Sequence, residues 1–216
     1  YQPEYSVSGL AGAVFEIYAD EDITTPDGTV RYTKDTLVDA ITTGEKGTAT
    51  SKQLYLGKYR VVETVAPYGT VINPEPHTVE LTYSGQNEKV TNTSTSFTND
   101  RQKAEINLTK ILEQNEKFNI GSNDEILNVS FGLYADEDLK AANGSVIPKD
   151  GLLEIITCDE KGKSQFTTDI PIGSYYVKEI STDNHYILSD KKYPVVFEYA
   201  GPVSYTHLRA HETLAN

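Results

Sequence analysis

Gly57-Lys58-Tyr59-Arg60-Val61-Val62-Glu63 returns later in the chain as Gly173-Ser174-Tyr175-Tyr176-Val177-Lys178-Glu179. β-Branched and aromatic residues dominate both stretches with partial alternation, the pattern of a strand half-buried in a sheet. The offset is 116 (173 − 57), and it persists outward in both directions. Phe15-Glu16-Ile17-Tyr18-Ala19-Asp20-Glu21-Asp22 returns as Phe131-Gly132-Leu133-Tyr134-Ala135-Asp136-Glu137-Asp138. Val79 to Gly85 returns as Val195 to Gly201, and Glu45-Lys46-Gly47 as Glu160-Lys161-Gly162, one residue out of step. Four blocks in one order at nearly constant spacing are a duplication. A period this long exceeds any solenoid repeat, so each copy is expected to carry its own core.

Turn chemistry separates the strand-like blocks: Pro26-Asp27-Gly28, Glu45-Lys46-Gly47, Ala66-Pro67-Tyr68-Gly69 and Asn143-Gly144. Asp35 to Ile41 and Lys149 to Ile156 are too short and weakly periodic to predict a helix. Strands punctuated by turns give an all-β sandwich or barrel, present twice. Thr98-Asn99-Asp100-Arg101-Gln102 reads as the joint between copies. The boundaries are therefore 1–102 for the first domain and 103–201 for the second. After Gly201 the repeat stops, and residues 202–216 match nothing in the first copy. They are set apart from the fold as an artefact of sequence assembly.

The chain has 216 residues and a net charge of −13, enough length for two cores without metal or disulfide support. A surface so acidic repels phosphate backbones and anionic lipid, which argues against nucleic-acid and membrane partners. The lone Cys158 forms no internal disulfide and reads as a small residue at a strand end. His207 and His211 have a metal-like spacing but fall in the segment set apart. Asp20-Glu21-Asp22 and Asp136-Glu137-Asp138 lack a glycine-centred calcium loop and read as acidic turns. No Ser-His-Asp set, metal dyad or phosphate loop stands out, so no cofactor, no metal and no enzymatic turnover are expected.

Tyr59-Arg60-Val61-Val62-Glu63-Thr64-Val65-Ala66-Pro67-Tyr68-Gly69 resembles the E-box of Cna B-type, SpaA-like pilin domains. Leu10 to Tyr18 is similar to the second strand of that family. Phe97-Thr98-Asn99-Asp100 followed by Ala104-Glu105-Ile106-Asn107-Leu108-Thr109-Lys110 is similar to its domain joint. The resemblance covers residues 5–201 and implies two tandem prealbumin-like β-sandwiches strung as beads in Gram-positive surface proteins. It also implies a spontaneous isopeptide bond between a first-strand lysine and a last-strand asparagine, assisted by the E-box carboxyl. Such a reaction needs a dry pocket, which favours a neutral amine, and close contact, which supplies effective concentration. It happens once per domain, so it is maturation and not turnover.

On this resemblance the first copy offers Glu63 as the acid and Asn99 as the amide. The counterpart of its lysine falls before residue 1, so the first strand is expected to be missing. The second copy offers Lys110 as the amine and Glu179 as the acid. Lys110 alternates with Ile106 and Leu108, which puts it on their apolar face. The second E-box is worn: Ile180-Ser181-Thr182-Asp183-Asn184 replaces the Thr-x-Ala-Pro-x-Gly half, and this puts the turn after Glu179 in doubt. The second asparagine belongs near position 215, where Asn216 is the nearest amide, inside the segment set apart. The last strand of the second domain is therefore also expected to be missing.

The function implied is a structural or adhesive stalk module of a cell-wall-anchored surface protein or pilin, outside the cell. Its partners would be neighbouring repeats and, through the parent protein, sortase and the cell wall. The alternatives are an adhesin module that recognises a host matrix protein or glycan, or an accessory domain of a secreted enzyme.

Overall fold

The computed structural model describes residues 1–201 in full and the backbone of residues 208–215. The chain divides into two compact units. The first is built on Ser6–Gln102; the second is built on Lys103–Tyr199 and takes in Tyr1–Tyr5. Its regular elements are strands joined by turns, with two 3-10 turns, Glu116–Phe118 and Glu125–Asn128, between the first two strands of the second unit. The architecture is all-β, two successive sandwich-type domains, as the alternation and turn spacing lead one to expect.

In the first unit, β1 (Val14–Ala19), β4 (Leu37–Thr42), β5 (Gly57–Val65) and β6 (His77–Leu81) form an antiparallel sheet in the order β4-β1-β5-β6. β2 (Ile23–Thr24) and β3 (Val30–Tyr32) make a small hairpin. Period-2 alternation places Phe15, Ile17, Tyr59 and Val61 on one buried face. Glu63 follows in the same register, so the backbone itself carries a carboxylate into the core.

The second unit repeats that sheet. β8 (Ser130–Ala135), β11 (Leu152–Thr157), β13 (Gly173–Ser181) and β14 (Lys192–Phe197) run in the order β11-β8-β13-β14, and β9 (Leu139–Lys140) pairs with β10 (Val146–Ile147). It adds a second sheet: β7 (Ala104–Ile111) pairs antiparallel with β12 (Lys163–Phe166). Ile106 and Leu108 of β7 pack into one core with Phe131, Leu133, Tyr175 and Val177. Asp35–Ile41 and Lys149–Ile156, too irregular to read as helix, supply β4 and β11. Residues 202–216 were set apart on sequence, yet β15 (Leu208–Ala215) runs parallel to β7, with Leu214 opposite Lys110. Opposite its β12 edge, β7 otherwise presents unpaired backbone groups, which is where a further strand gains most.

The repeated Asp-Glu-Asp turns brace the sheets. Asp22 accepts a hydrogen bond from the Lys34 amide at 2.8 Å, and Asp138 from the Lys149 amide at 2.9 Å. Glu21 accepts from the Lys58 amide at 3.1 Å, and Glu137 from the Ser174 amide at 2.8 Å. Carboxylates that satisfy backbone N–H groups at strand entrances explain why this motif recurs in both copies.

Candidate isopeptide sites

Each unit buries one glutamate on the central strand of its main sheet, and alternation alone brings it there. In the second unit Glu179 lies on β13 below Tyr175 and Val177, facing Lys110 of β7. The Lys110 Nζ is 3.2 Å from Glu179 Oε1, with the two side chains only 2% and 1% exposed. Glu179 Oε2 accepts a hydrogen bond from the Ser189 amide at 2.8 Å. Oε1 makes no aligned hydrogen bond, so its approach to Nζ is a contact of charge rather than of direction. An amine and a carboxyl are thus held together in a dry core.

The first unit repeats the acid half. Glu63 Oε2 accepts from the Asn73 amide at 2.6 Å, and Asn73 stands to Glu63 as Ser189 stands to Glu179. The Asn99 side chain joins it: Nδ2 donates to Glu63 Oε2 at 2.7 Å and to Val71 O at 3.0 Å. The segment around Asn99 is strapped to the loop after β5. Val71 donates to Asp100 O and Gln102 to Gly69 O, each at 2.9 Å, and Asn73 Nδ2 donates to Thr98 O at 3.0 Å. The Phe97 ring stacks on His77 with centroids 3.8 Å apart and meets Phe15 at 4.7 Å. Glu63 Oε1 is buried without a partner.

The structure therefore brings Lys110 to Glu179 and Asn99 to Glu63. Lys110 belongs to the second unit and Asn99 to the first. Position 215 carries an alanine, paired through its backbone with Ile111. Asn216 and His207 lie outside the described residues. Among the described residues Lys110 has no bond to a side-chain amide.

The loops that seat both acids are alike despite their different sequences. In the first copy Thr70 donates to Pro67 O at 3.1 Å, a turn whose third residue, Gly69, has φ +81°. That conformation suits glycine, as the E-box pattern requires. In the second copy Tyr186 donates to Asp183 O at 3.0 Å, at the same place in the repeat. Asp183 Oδ1 accepts from the His185 amide at 3.1 Å, and Oδ2 accepts from Asn128 Nδ2 at 2.7 Å. A side-chain-closed turn has replaced the Pro-x-Gly turn. The turn after Glu179, doubtful on sequence, is present. The signal that could have found it is an aspartate at the turn's first position.

Two tyrosines four residues before the acids also match. Tyr59 Oη donates to Tyr55 O at 2.7 Å and Tyr175 Oη to Pro171 O at 2.5 Å. Burial pushes the Tyr59 hydroxyl up to about 12 and raises that of Tyr175 further. Both serve to lock the strand carrying the glutamate, a role that only their spacing in the repeat betrays.

The chain is similar over 104 residues, 47% of its length, to the trypsin-resistant surface T6 protein of Streptococcus pyogenes serotype M6, with 31% identity. It spans only 17% of that relative. Among solved structures, the Bacillus anthracis TIE protein superposes with a TM-score of 0.59 at 20% identity, covering 96% of this chain and 31% of that one. GBS52, the minor pilin of Streptococcus agalactiae, covers all of this chain and 89% of its own at 17% identity and a TM-score of 0.34. The SpaA prealbumin-like fold domain model matches residues 4–96 and again 114–209. With the same buried glutamate and the same seating loop in both units, and that model matched at two stretches that together cover most of the chain, the chain belongs to the SpaA family of prealbumin-like pilin domains.

Proposed function

We propose that this chain is a stalk segment of a cell-wall-anchored bacterial surface protein or pilin, in which Lys–Asn isopeptide bonds stiffen each bead. The observation that carries this reading is the geometry of Glu63 and Glu179. Each is buried on the central strand and held through Oε2 by a loop amide, with Oε1 directed to where an amine is or belongs.

Glu63 sits between the two ends of the reaction. Its Oε2 is 2.7 Å from Asn99 Nδ2, the nitrogen that must leave, and its Oε1 remains available to an incoming amine. A neutral lysine Nζ attacks Asn99 Cγ, the Cγ–Nδ2 bond breaks, and Nδ2 departs as ammonia. The carboxyl takes the proton shed by Nζ and delivers one to Nδ2, a general acid–base relay within one group. Close packing supplies the effective concentration that makes an unactivated amide react.

A stalk held this way gains resistance to stretching and proteolysis without enzymatic turnover, and works outside the cell by carrying whatever stands beyond it. Tandem mass spectrometry of the parent protein tests the reading. Each unit is expected to have lost one ammonia, with Asn99 joined to a lysine and Lys110 joined to an amide. Glu63→Ala and Glu179→Ala should each abolish the bond of their own unit. A parent protein with Lys110 and Asn99 both free would overturn it.

A further inference from the structure

Asn143-Gly144 is the one Asn-Gly pair in the chain, and it forms the tip of the β9–β10 hairpin. That hairpin rests on two residue pairs, Lys140 with Val146 and Leu139 with Ile147. The tip is exposed and the space beside the Gly144 Cα is open, so water reaches the amide between the two residues. Gly144 has φ +86°, which glycine adopts without strain. The Asn143 side chain is held in one pose: Oδ1 accepts from the Ser145 amide at 2.9 Å and from Ser145 Oγ at 2.7 Å. Two donors on one carbonyl oxygen polarise Cγ and are placed to stabilise negative charge that develops there. Asn73 and Asn99 lack this arrangement. Asn73 precedes a proline, which has no N–H, and Asn99 is held through Nδ2 by Glu63 and Val71.

The first unit shows the same turn with an acid in that place. Asp27-Gly28 stands at the equivalent positions, 116 residues earlier (143 − 27). Gly28 donates to Thr25 O at 2.8 Å as Gly144 donates to Ala141 O at 3.0 Å, and the Thr25 and Ala141 amides donate to Thr29 O and Ser145 O, each at 2.9 Å. Asp27 Oδ1 accepts from the Thr29 amide at 3.1 Å, the bond that Asn143 Oδ1 has with Ser145. An aspartate therefore satisfies this turn without rearrangement.

We propose that Asn143 is a self-modification site, at which the Gly144 amide nitrogen displaces the side-chain ammonia and water then leaves an aspartyl or isoaspartyl residue. The steps balance. Hydroxide takes the Gly144 amide proton, N–Cγ forms, Cγ–Nδ2 breaks, and Nδ2 takes a proton from water and leaves as ammonia. Nucleophile and carbon belong to adjacent residues, so they are in contact from the start. The Gly144–Ala141 hydrogen bond must open first, which an exposed hairpin of two pairs permits. Water then cleaves N–Cγ, which gives aspartate on the original main chain, or N–C, which routes the main chain through the side chain as isoaspartate. The aspartyl form takes the Asp27 arrangement, and the isoaspartyl form lengthens the turn by one methylene. Ammonia is lost here as in an isopeptide bond, but no distant segment becomes joined, so the site stands independently of the stalk reading.

The experiment incubates the full chain at mildly alkaline pH in ordinary and in heavy-oxygen water, followed by digestion and tandem mass spectrometry. Freshly prepared chain should carry its bare mass. With time the peptide containing Asn143 is expected to pass through a form lacking one ammonia. It should end as two chromatographically separate forms, aspartyl and isoaspartyl, each with one oxygen taken from the water. Ser145→Ala removes one of the two donors on Oδ1 and should slow the reaction about three- to tenfold, the worth of one hydrogen bond. Asn143→Asp should take up no oxygen there and keep the melting temperature of the parent chain. An Asn143 that stays intact would overturn the site. Aspartate without isoaspartate would overturn the imide route in favour of direct hydrolysis. An unchanged rate in Ser145→Ala would overturn the part given to Ser145, and a lowered melting temperature in Asn143→Asp the equivalence with the Asp27 turn.

Discussion

Lys110 and Glu179 show how a single residue's register can matter more than its charge. Both occupy inward positions of their strands, so the fold must desolvate them, and their mutual approach at 3.2 Å offsets part of that cost. Removing one partner strands the other in the core. Lys110→Met alone is expected to destabilise the second unit by about 3–5 kcal/mol, and Lys110→Met with Glu179→Met by much less. Urea denaturation of the single and double variants measures this, and equal losses in both would show that the pair is not energetically coupled. Cys158 lies in the same core, and burial lifts its thiol to about 11. The charges of Asp159 and Glu179 reinforce the shift and that of Lys110 opposes it. At pH 8 the native thiol should react with a disulfide reagent far more slowly than the thiol in urea, since the thiolate is the nucleophile. Rapid labelling of the native protein would contradict the burial described.

At the scale of elements, the loop after the glutamate decides whether the acid is held, and the two copies solve this with different residues. The first uses Gly69 at positive φ; the second uses Asp183 as both turn carbonyl and turn acceptor. The His185 amide, then its ring, then Asn128 hold the Asp183 carboxyl below the usual range. A depressed folded value means the stabilisation is complete above the unfolded carboxylate range and is lost as pH falls through the folded value. Asp183→Asn should therefore melt at a lower temperature than the parent chain at pH 7, and the two melting curves should converge as the pH falls below the ordinary carboxylate range. A constant gap at all pH values would remove the carboxylate from the explanation. The main strands were legible because period-2 burial and repeat spacing agree, and the inward course of Lys110 followed from Ile106 and Leu108. The side-chain-closed turn was not, because the motif pattern registers the missing proline and glycine and not the aspartate that replaces them. The 3-10 turns at Glu116–Phe118 and Glu125–Asn128 escaped for a similar reason: their caps, such as the Asn115 side chain accepting from the Phe118 amide, carry no periodic signal. The strand beside β7 was missed because pairing along a free edge is a tertiary gain that local pattern does not encode.

For the whole molecule, the duplication has left two complementary half-sites in separate units. One holds amide and acid, Asn99 and Glu63; the other holds amine and acid, Lys110 and Glu179. Neither described half-site contains the full trio, and the acid cannot substitute for a missing reactant. Effective concentration rises only when amine and amide carbon share one pocket. The chain by itself is therefore expected to show the bare mass of its sequence, with no ammonia lost. Intact-mass spectrometry reads this directly, and heating in denaturant before measurement should leave the mass unchanged. A loss of one ammonia, with tandem spectra joining Lys110 to Asn216, would show that the segment after Gly201 completes the second site. That outcome would also convert the second unit into the more protease-resistant of the two, because a closed covalent loop limits the opening that cleavage requires.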